Sequence, residues 1–109
     1  MRRLYDFQKF DPKFFDNLDL AVVADKDKED RKTITVIILE DRNEYNNDEH
    51  GVNRYEKFYI NILNPNFKEF NFKEGQPFLI DYLEPGFNVV VWGENFDRKI
   101  SIKGFLKAN

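Results

Sequence analysis

The chain contains no cysteine, a single histidine and only five glycines, which stand apart from one another. Without cysteine it can form no disulfide, has no thiolate nucleophile and builds no Cys-ligated zinc or iron–sulfur site. The isolated glycines make neither a P-loop nor a dinucleotide-binding fingerprint, so the sequence offers no phosphate cradle. We therefore predict a protein without a cofactor.

Long hydrophobic runs are also missing. The longest, Val36 to Leu39, is enough for one buried strand and far too short for a transmembrane helix. The opening residues, Met1 to Phe7, lack the apolar stretch of a signal peptide. We expect a cytoplasmic protein that does not interact with membranes.

The single histidine, His50, lies in a long polar connection over residues 41–53. A histidine there could serve as a general base or a metal ligand, but no nucleophile accompanies it at a recognisable spacing. The connection also fails the EF-hand calcium pattern, because Asn46 and Val52 stand where glycine and glutamate are required. We expect no metal site and interpret the connection as a flexible solvated loop, with a binding loop as the alternative.

Asp81 is the remaining candidate for acid–base chemistry, and its neighbours do not support that role. A catalytic carboxylate needs a second acid and a pocket, and the sequence shows neither. We predict that the protein is not an enzyme.

The chain has 109 residues, 41% hydrophobic and 34% charged, which suits one soluble domain over residues 1–109. Its net charge of −3 argues against a generally basic nucleic-acid-binding protein. The aromatic content of 17%, led by 12 Phe, is high. Phe, Lys, Asn and Ile are all abundant, as A·T-rich coding would cause, so the aromatic excess alone does not indicate binding.

Six short runs of alternating or β-branched residues predict strands, and turn signals separate them. A mixed-charge run over residues 25–32 predicts a solvated turn, and Glu84-Pro85-Gly86 predicts a type II turn. We predict a mostly-β fold, a small antiparallel β-barrel or sandwich of the OB or SH3-like kind. The predicted strands cover residues 18–24, 33–40, 55–63, 78–83, 87–92 and 99–107.

An aromatic N-terminal segment, residues 1–18, precedes the first strand. Asp11-Pro12 is a good helix start, and a short helix would place Phe14, Phe15 and Leu18 on one face. We favour packing of this face across an open end of the sheet. The alternative is an adaptor that binds a partner protein through Phe7, Phe10 and Phe14.

Alternation in the third strand predicts that Phe58, Ile60 and Ile62 face the core and that Tyr55, Lys57, Tyr59 and Asn61 face outward. In the last strand it predicts that Ile100, Ile102 and Leu106 face the core and that Lys99, Lys103, Phe105 and Lys107 face outward. If those strands are neighbours, their outward positions combine lysines with aromatic rings. Cations follow a phosphate backbone and rings stack on bases, so we predict a surface for single-stranded nucleic acid. An ordinary solvated face with aggregation-blocking lysines, or a protein-binding face, would show the same residues. The predicted nucleic-acid-binding residues are Tyr55, Lys57, Tyr59, Trp92, Arg98, Lys99, Lys103, Phe105 and Lys107.

Four segments of the C-terminal half resemble small accessory proteins of Gram-positive conjugative transposons, a helicase processivity factor-like family. They are residues 59–65, 70–75 and 80–85 and the closing strand that ends in Lys107-Ala108-Asn109. Glu84-Pro85 departs from the Asn-Pro common in that family, and residues 1–53 have no counterpart. The resemblance implies a DNA-processing accessory of a mobile element that works beside a helicase or relaxase, and it transfers no site residues.

We therefore expect a non-enzymatic accessory protein that binds single-stranded nucleic acid, or a replication or transfer protein, through the basic–aromatic face. The adaptor without nucleic-acid binding is the alternative. A third possibility is self-assembly through an exposed sheet edge.

Overall fold

A computed structural model describes residues 13–43, 53–92 and 99–107 of the chain. This part is mostly β, with one four-residue α-helix and two short 3₁₀-helices, Phe67–Glu69 and Ile80–Tyr82. None of its helices has the length and apolarity needed to cross a membrane. The main elements are α1 (Lys13–Asp16), β1 (Leu18–Asp27), β2 (Lys32–Asp41), β3 (Lys57–Ile62), β4 (Pro77–Phe78), β5 (Asn88–Trp92) and β6 (Lys99–Gly104).

The six strands form one sheet in the order β4-β1-β2-β3-β6-β5. Four of the pairings are antiparallel, as predicted, but β3 pairs with β6 in parallel, with Tyr59 opposite Ser101 and Asn61 opposite Lys103. Parallel neighbours require a long crossover connection, and residues 63–98 provide it. The prediction of a purely antiparallel sheet is therefore wrong at this pairing.

The hydrogen-bonded sheet does not close into a barrel. Its two edge strands, β4 and β5, belong to one stretch of chain, residues 77–92. The start of this stretch pairs with β1 and its end pairs with β6. Between them the Lys107 N–H donates to the Tyr82 carbonyl at 2.8 Å, and the Glu84 N–H donates to the Phe105 carbonyl at 2.7 Å. The ladder is interrupted at the 3₁₀-helix Ile80–Tyr82, where the sequence predicted a continuous strand over residues 78–83.

Glycines allow the turns and close contacts of this stretch. Gly86 has φ +85°, as the predicted turn requires, and Gly75 has the same value where the chain turns into β4. At Gly104 a Cβ atom would lie 2.9 Å from the Cβ of Phe87, so β6 can approach the start of β5 only with glycine there.

The core lies on one face of the sheet. Along β3 the inward residues Phe58, Ile60 and Ile62 alternate with outward residues, as the sequence predicted. Ile100, Ile102 and the later Leu106 continue the core on β6 and beyond. Each fully buried side chain of this size contributes about 1.5–3 kcal/mol through the hydrophobic effect.

Helix α1 packs onto this core. Phe14 and Phe15 are each 1% exposed, and the Phe15 ring lies 6.0 Å from Phe58 and 6.1 Å from Phe87. The packing interpretation is thus confirmed for these two residues, and Phe14 is not available as a partner-binding surface in this structure. Phe7 and Phe10, like Asp11 and Pro12, lie outside the described residues.

The charged run between β1 and β2 is only partly the solvated turn that was predicted. Asp25 and Asp27 belong to β1, and Lys32 opens β2 with 2% of its side chain exposed. Its ammonium nitrogen lies 2.8 Å from Asp25 and 2.6 Å from Asp27. The run of opposite charges predicted a solvated turn, but here one buried ammonium pairs with two carboxylates at the end of the core.

The predicted loop after β2 is anchored at its two described ends. Asp41, Asn43 and Asn53 are buried, with 3%, 5% and 0% exposure. The Asp41 carboxylate accepts hydrogen bonds from the backbone N–H groups of Asn43 and Asn53, both at 3.1 Å. These ends are therefore not solvated, and residues 44–52, including His50, lie outside the described residues.

Candidate functional site

The outward face of β2, β3, β6 and β5 forms a continuous surface. The pairing places Thr35, Tyr59, Ser101 and Val90 in one row across the four strands. The next row runs through Thr33, Asn61, Lys103 and Asn88. The two lysine-bearing strands, β3 and β6, are therefore neighbours, which the sequence alone left open.

A hollow of about 150 Å³ lies on this face, between two exposed aromatic rings. Tyr59 on β3 is 50% exposed and Trp92 at the end of β5 is 42% exposed. The sheet brings them to one site from positions 33 residues apart in the chain. The hollow is lined by Lys28, Thr33, Tyr59, Asn61, Trp92 and Ser101.

Polar side chains of adjacent strands surround the hollow, and two of them are hydrogen-bonded to each other. The Thr33 hydroxyl donates to the Asn61 side-chain oxygen at 2.7 Å. The Asn61 side-chain nitrogen makes a long contact of 3.5 Å with the Ile102 carbonyl. Thr33 and Ser101 are only 8% and 9% exposed, so small polar groups form the floor and the rings stand above it.

Three further lysines lie at other outward positions of the same face. Lys57, Lys99 and Lys103 are exposed, and within the described ranges none of them forms an ion pair. Trp92 pairs with Lys99 across β5 and β6, and Lys103 pairs with Asn61 across β6 and β3. The face therefore offers cations that are free to contact phosphates.

The turn that carries Lys28 also contains acidic residues, and one of them is already paired. Arg31 donates to Asp30 at 3.1 Å, and this hydrogen bond, with the charge of the guanidinium, holds the pKa of Asp30 below its usual value. Pairing reduces the repulsion that Asp30 would exert on a phosphate near Lys28.

Some predicted site residues lie away from the hollow. Tyr55 precedes β3 with φ +69°, is 61% exposed, and lies under the Arg54 guanidinium at 4.9 Å. Phe105 is 48% exposed and lines a smaller hollow of about 90 Å³ with Lys103. Lys107 lines a different cavity, and Arg98 lies outside the described residues.

That other cavity, of about 510 Å³, lies between the two 3₁₀-helices and the end of the chain's last described segment. Asp81 lines it together with Glu69, so the structure supplies the pocket and the second acid that the sequence did not reveal. The Glu69 carboxylate accepts a hydrogen bond from the Asn66 side chain at 2.9 Å. The cavity is lined by Glu69, Phe70, Asn71, Phe72, Asp81, Tyr82, Leu106 and Lys107.

Sequence reasoning missed four residues of the hollow. Asn61 was assigned to the outward face but not to the site, and Lys28 was taken as part of a solvated turn. Thr33 and Ser101 carried a signal, since both are polar residues at outward positions of predicted strands. Only the pairing of β2 with β3 and β6 brings these residues together.

No group of three or more His, Asp or Glu side chains capable of holding a metal ion occurs in the part of the chain that the structure describes. Comparison of the chain with protein-family models, curated proteins and solved structures gives no match.

Proposed function

We propose that the chain binds single-stranded nucleic acid across the outward face of β2, β3, β6 and β5. The observation that carries this proposal is the hollow between Tyr59 and Trp92, two exposed rings on a face whose lysines have no ion-pair partners among the described residues. Base–aromatic stacking contributes about 1–3 kcal/mol per base, and lysines on the same face follow the phosphates.

The arrangement of the sheet supports an OB-like, partly open barrel. OB folds are small Greek-key barrels that bind oligonucleotides on the face of their second and third strands and on the adjoining loops. The hollow contains Thr33 from β2, Tyr59 and Asn61 from β3, and Lys28 from the loop that joins β1 to β2. This position of the hollow supports the proposed site.

The biological role that we propose is that of a non-enzymatic accessory in DNA processing, working beside a helicase or a similar protein. The resemblance to accessory proteins of conjugative transposons supports this role. The net charge of −3 makes strong general attraction to nucleic acid unfavourable, so binding depends on the local cluster of cations. We expect micromolar or weaker affinity that falls steeply with salt.

The first test follows the fluorescence of Trp92, the only tryptophan in the chain, during titration with a single-stranded oligonucleotide. Stacking of a base on the indole quenches its emission directly at the proposed site. If Lys28, Lys57, Lys99 and Lys103 each neutralise one phosphate, the slope of log K against log salt is roughly −3. Absence of saturable binding at low salt would show that the face is an ordinary solvated surface.

The second test replaces Tyr59 with alanine. We expect the Kd to rise about 5- to 150-fold, because one stacking platform is lost while the core is untouched. Tyr82→Ala is the matched control, since Tyr82 is 40% exposed but lines the other cavity. Fluorescence anisotropy of a labelled oligonucleotide gives the affinities, and equal losses in both variants would contradict the proposed site.

The third test reverses two charges, in the double variant Lys99→Glu and Lys103→Glu. We expect binding to be abolished and the fold to be retained, because both side chains are exposed. Lys68→Glu with Lys73→Glu is the matched control, with the same net charge but substitutions in the connection between β3 and β4. Unchanged affinity in the first variant would overturn the assignment of the lysines.

A further inference from the structure

We propose that Asn61 recognises the base held in the hollow, and that the site prefers thymine or uracil to adenine. This inference rests on the proposed function, since it concerns the same face and deepens it. It follows from the hydrogen bonds that fix the Asn61 amide between β2 and β6.

The orientation of the Asn61 amide is determined by its two neighbours. A backbone carbonyl can only accept a hydrogen bond, so the nitrogen of the amide must be the atom that faces the Ile102 carbonyl. The oxygen then faces Thr33, whose hydroxyl donates to it at 2.7 Å. Thr33 is the residue directly opposite Asn61 in the pairing of β2 with β3, so this contact is built into the sheet.

This orientation leaves a donor for a ligand. An amide nitrogen carries two N–H groups, and the contact with Ile102 occupies at most one of them, at the long distance of 3.5 Å. The Asn61 oxygen accepts from Thr33 with one of its two lone pairs. Asn61 therefore offers an N–H donor at the hollow, while its oxygen is turned toward Thr33.

The other polar groups of the hollow agree with a base that presents acceptors. Lys28 is a cation, Ser101 has a hydroxyl that can donate, and none of the residues that line the hollow carries a carboxylate. On the edge where thymine and uracil present a carbonyl oxygen, adenine presents an amino donor beside a ring-nitrogen acceptor. The Asn61 N–H donor therefore pairs with the carbonyl oxygen of thymine or uracil, whereas the amino group of adenine opposes it with a second donor.

The size of the hollow also points to a base edge. Sites for small molecules usually enclose about 300–1,000 Å³. A hollow of about 150 Å³ is too small for such a ligand but suits the edge of one ring that stacks on Tyr59 or Trp92.

The test compares oligo(dT) and oligo(dA) of equal length in the wild-type protein and in two variants. Oligo(dA) stacks on itself, which weakens its binding for a reason unrelated to the protein. The informative quantity is therefore the change in the ratio of the two dissociation constants between variants. Asn61→Ala removes the donor, and we expect the preference for oligo(dT) to fall about 3- to 10-fold.

Thr33→Val provides the second variant. Valine keeps the size and β-branching of threonine but cannot hold the Asn61 oxygen, so Thr33 acts as a positioning residue. We expect a smaller fall in the same ratio, because the amide stays but is free to turn. Thermal unfolding followed by circular dichroism checks that both variants are folded.

The failures of the two proposals are distinguishable. If the wild-type protein binds neither oligonucleotide at low salt, the proposed function is wrong and the inference fails with it. If it binds both, and Asn61→Ala and Thr33→Val leave the ratio unchanged, only the recognition role is overturned. An equal loss of affinity for both oligonucleotides also overturns it, because Asn61 then contributes to binding without discriminating between bases.

Discussion

Lys32 shows how one charged residue can be accommodated in the core. Its side chain is 2% exposed, and its ammonium pairs with the Asp25 and Asp27 carboxylates. Asp25 also accepts a hydrogen bond from the Phe72 backbone N–H at 3.0 Å. Burial by itself lowers the pKa of the ammonium, but the hydrogen bonds and the negative charges of the two carboxylates together outweigh it and raise the pKa of Lys32 above the ordinary 10.5. The cluster thus joins β1, β2 and the connection before β4.

Removal of this ammonium leaves carboxylates without their partner. We expect Lys32→Met to lower the free energy of unfolding by about 3 kcal/mol, the low end for a broken buried pair, because Asp27 is 42% exposed. Arg42→Met is the control: Arg42 and Asp19 are paired at 2.8 Å but both are 52% exposed, so the loss is below about 1 kcal/mol. Urea unfolding measures both, and similar losses would contradict the prediction.

The same cluster predicts a dependence on alkaline pH. Because the folded-state pKa of Lys32 is raised, its contribution to stability is complete below the unfolded value and is lost as the pH rises through the folded value. The difference in thermal midpoint between the wild type and Lys32→Met should therefore shrink above pH 10.5. The comparison with Lys32→Met removes contributions that are common to both proteins. A difference that stays constant with pH would show that packing, not charge, explains the effect.

At the scale of the element, Asp41 at the end of β2 secures the loop that follows. One carboxylate oxygen accepts from the Asn43 backbone and side chain, at 3.1 and 3.0 Å, and the other accepts from the Asn53 backbone. Asn43 in turn donates to the Phe14 carbonyl at 2.9 Å, which connects the loop to α1. One buried carboxylate at the end of β2 is thus hydrogen-bonded to Asn43, which contacts α1, and to the segment that begins at Asn53.

Asp41→Asn tests this arrangement with almost no change in size. The amide places a donor where the carboxylate accepts, so a buried N–H group loses its partner and we expect a loss of about 1–3 kcal/mol. Glu40→Gln, the adjacent change at a half-exposed residue that pairs with Arg54 at 3.0 Å, should cost less than about 1 kcal/mol. Urea unfolding measures the stability of the two variants. An Asp41→Asn protein as stable as the wild type would show that the hydrogen bonds of the Asp41 carboxylate are not needed for stability.

At the scale of the whole molecule, α1 belongs to the domain's core. Phe14 and Phe15 are each 1% exposed, and removal of a buried phenylalanine costs about 3–5 kcal/mol. Deletion of residues 1–16 removes both, a loss comparable to the total stability of a small domain, so we expect cooperative thermal unfolding to disappear. A deletion variant that unfolds cooperatively near the wild-type temperature would instead support a detachable segment, as the adaptor hypothesis requires.

Much of the sheet could be predicted because side-chain alternation is local. The pattern of residues 57–62 and 99–104 alone assigned Ile60 and Ile102 to the core and Tyr59 and Lys103 to the surface, and the structure confirms both assignments. The strand over residues 78–83 could not be predicted correctly. These residues lie between β4 at one edge of the sheet and β5 at the other, and the chain passes from one edge to the other through a 3₁₀-helix. No local sequence pattern specifies that path.

The sequence by itself determined a mostly-β fold, the faces of its main strands, the glycine turn at Gly86 and the outward position of Tyr59. The tertiary structure alone decided that β3 and β6 are parallel neighbours, that Lys32 is buried, and that Thr33, Asn61 and Ser101 surround one hollow. The physical reason is that the two properties depend on interactions at different distances along the chain. The direction of a side chain depends on its own strand, whereas strand pairing depends on which distant segments bury the common core together.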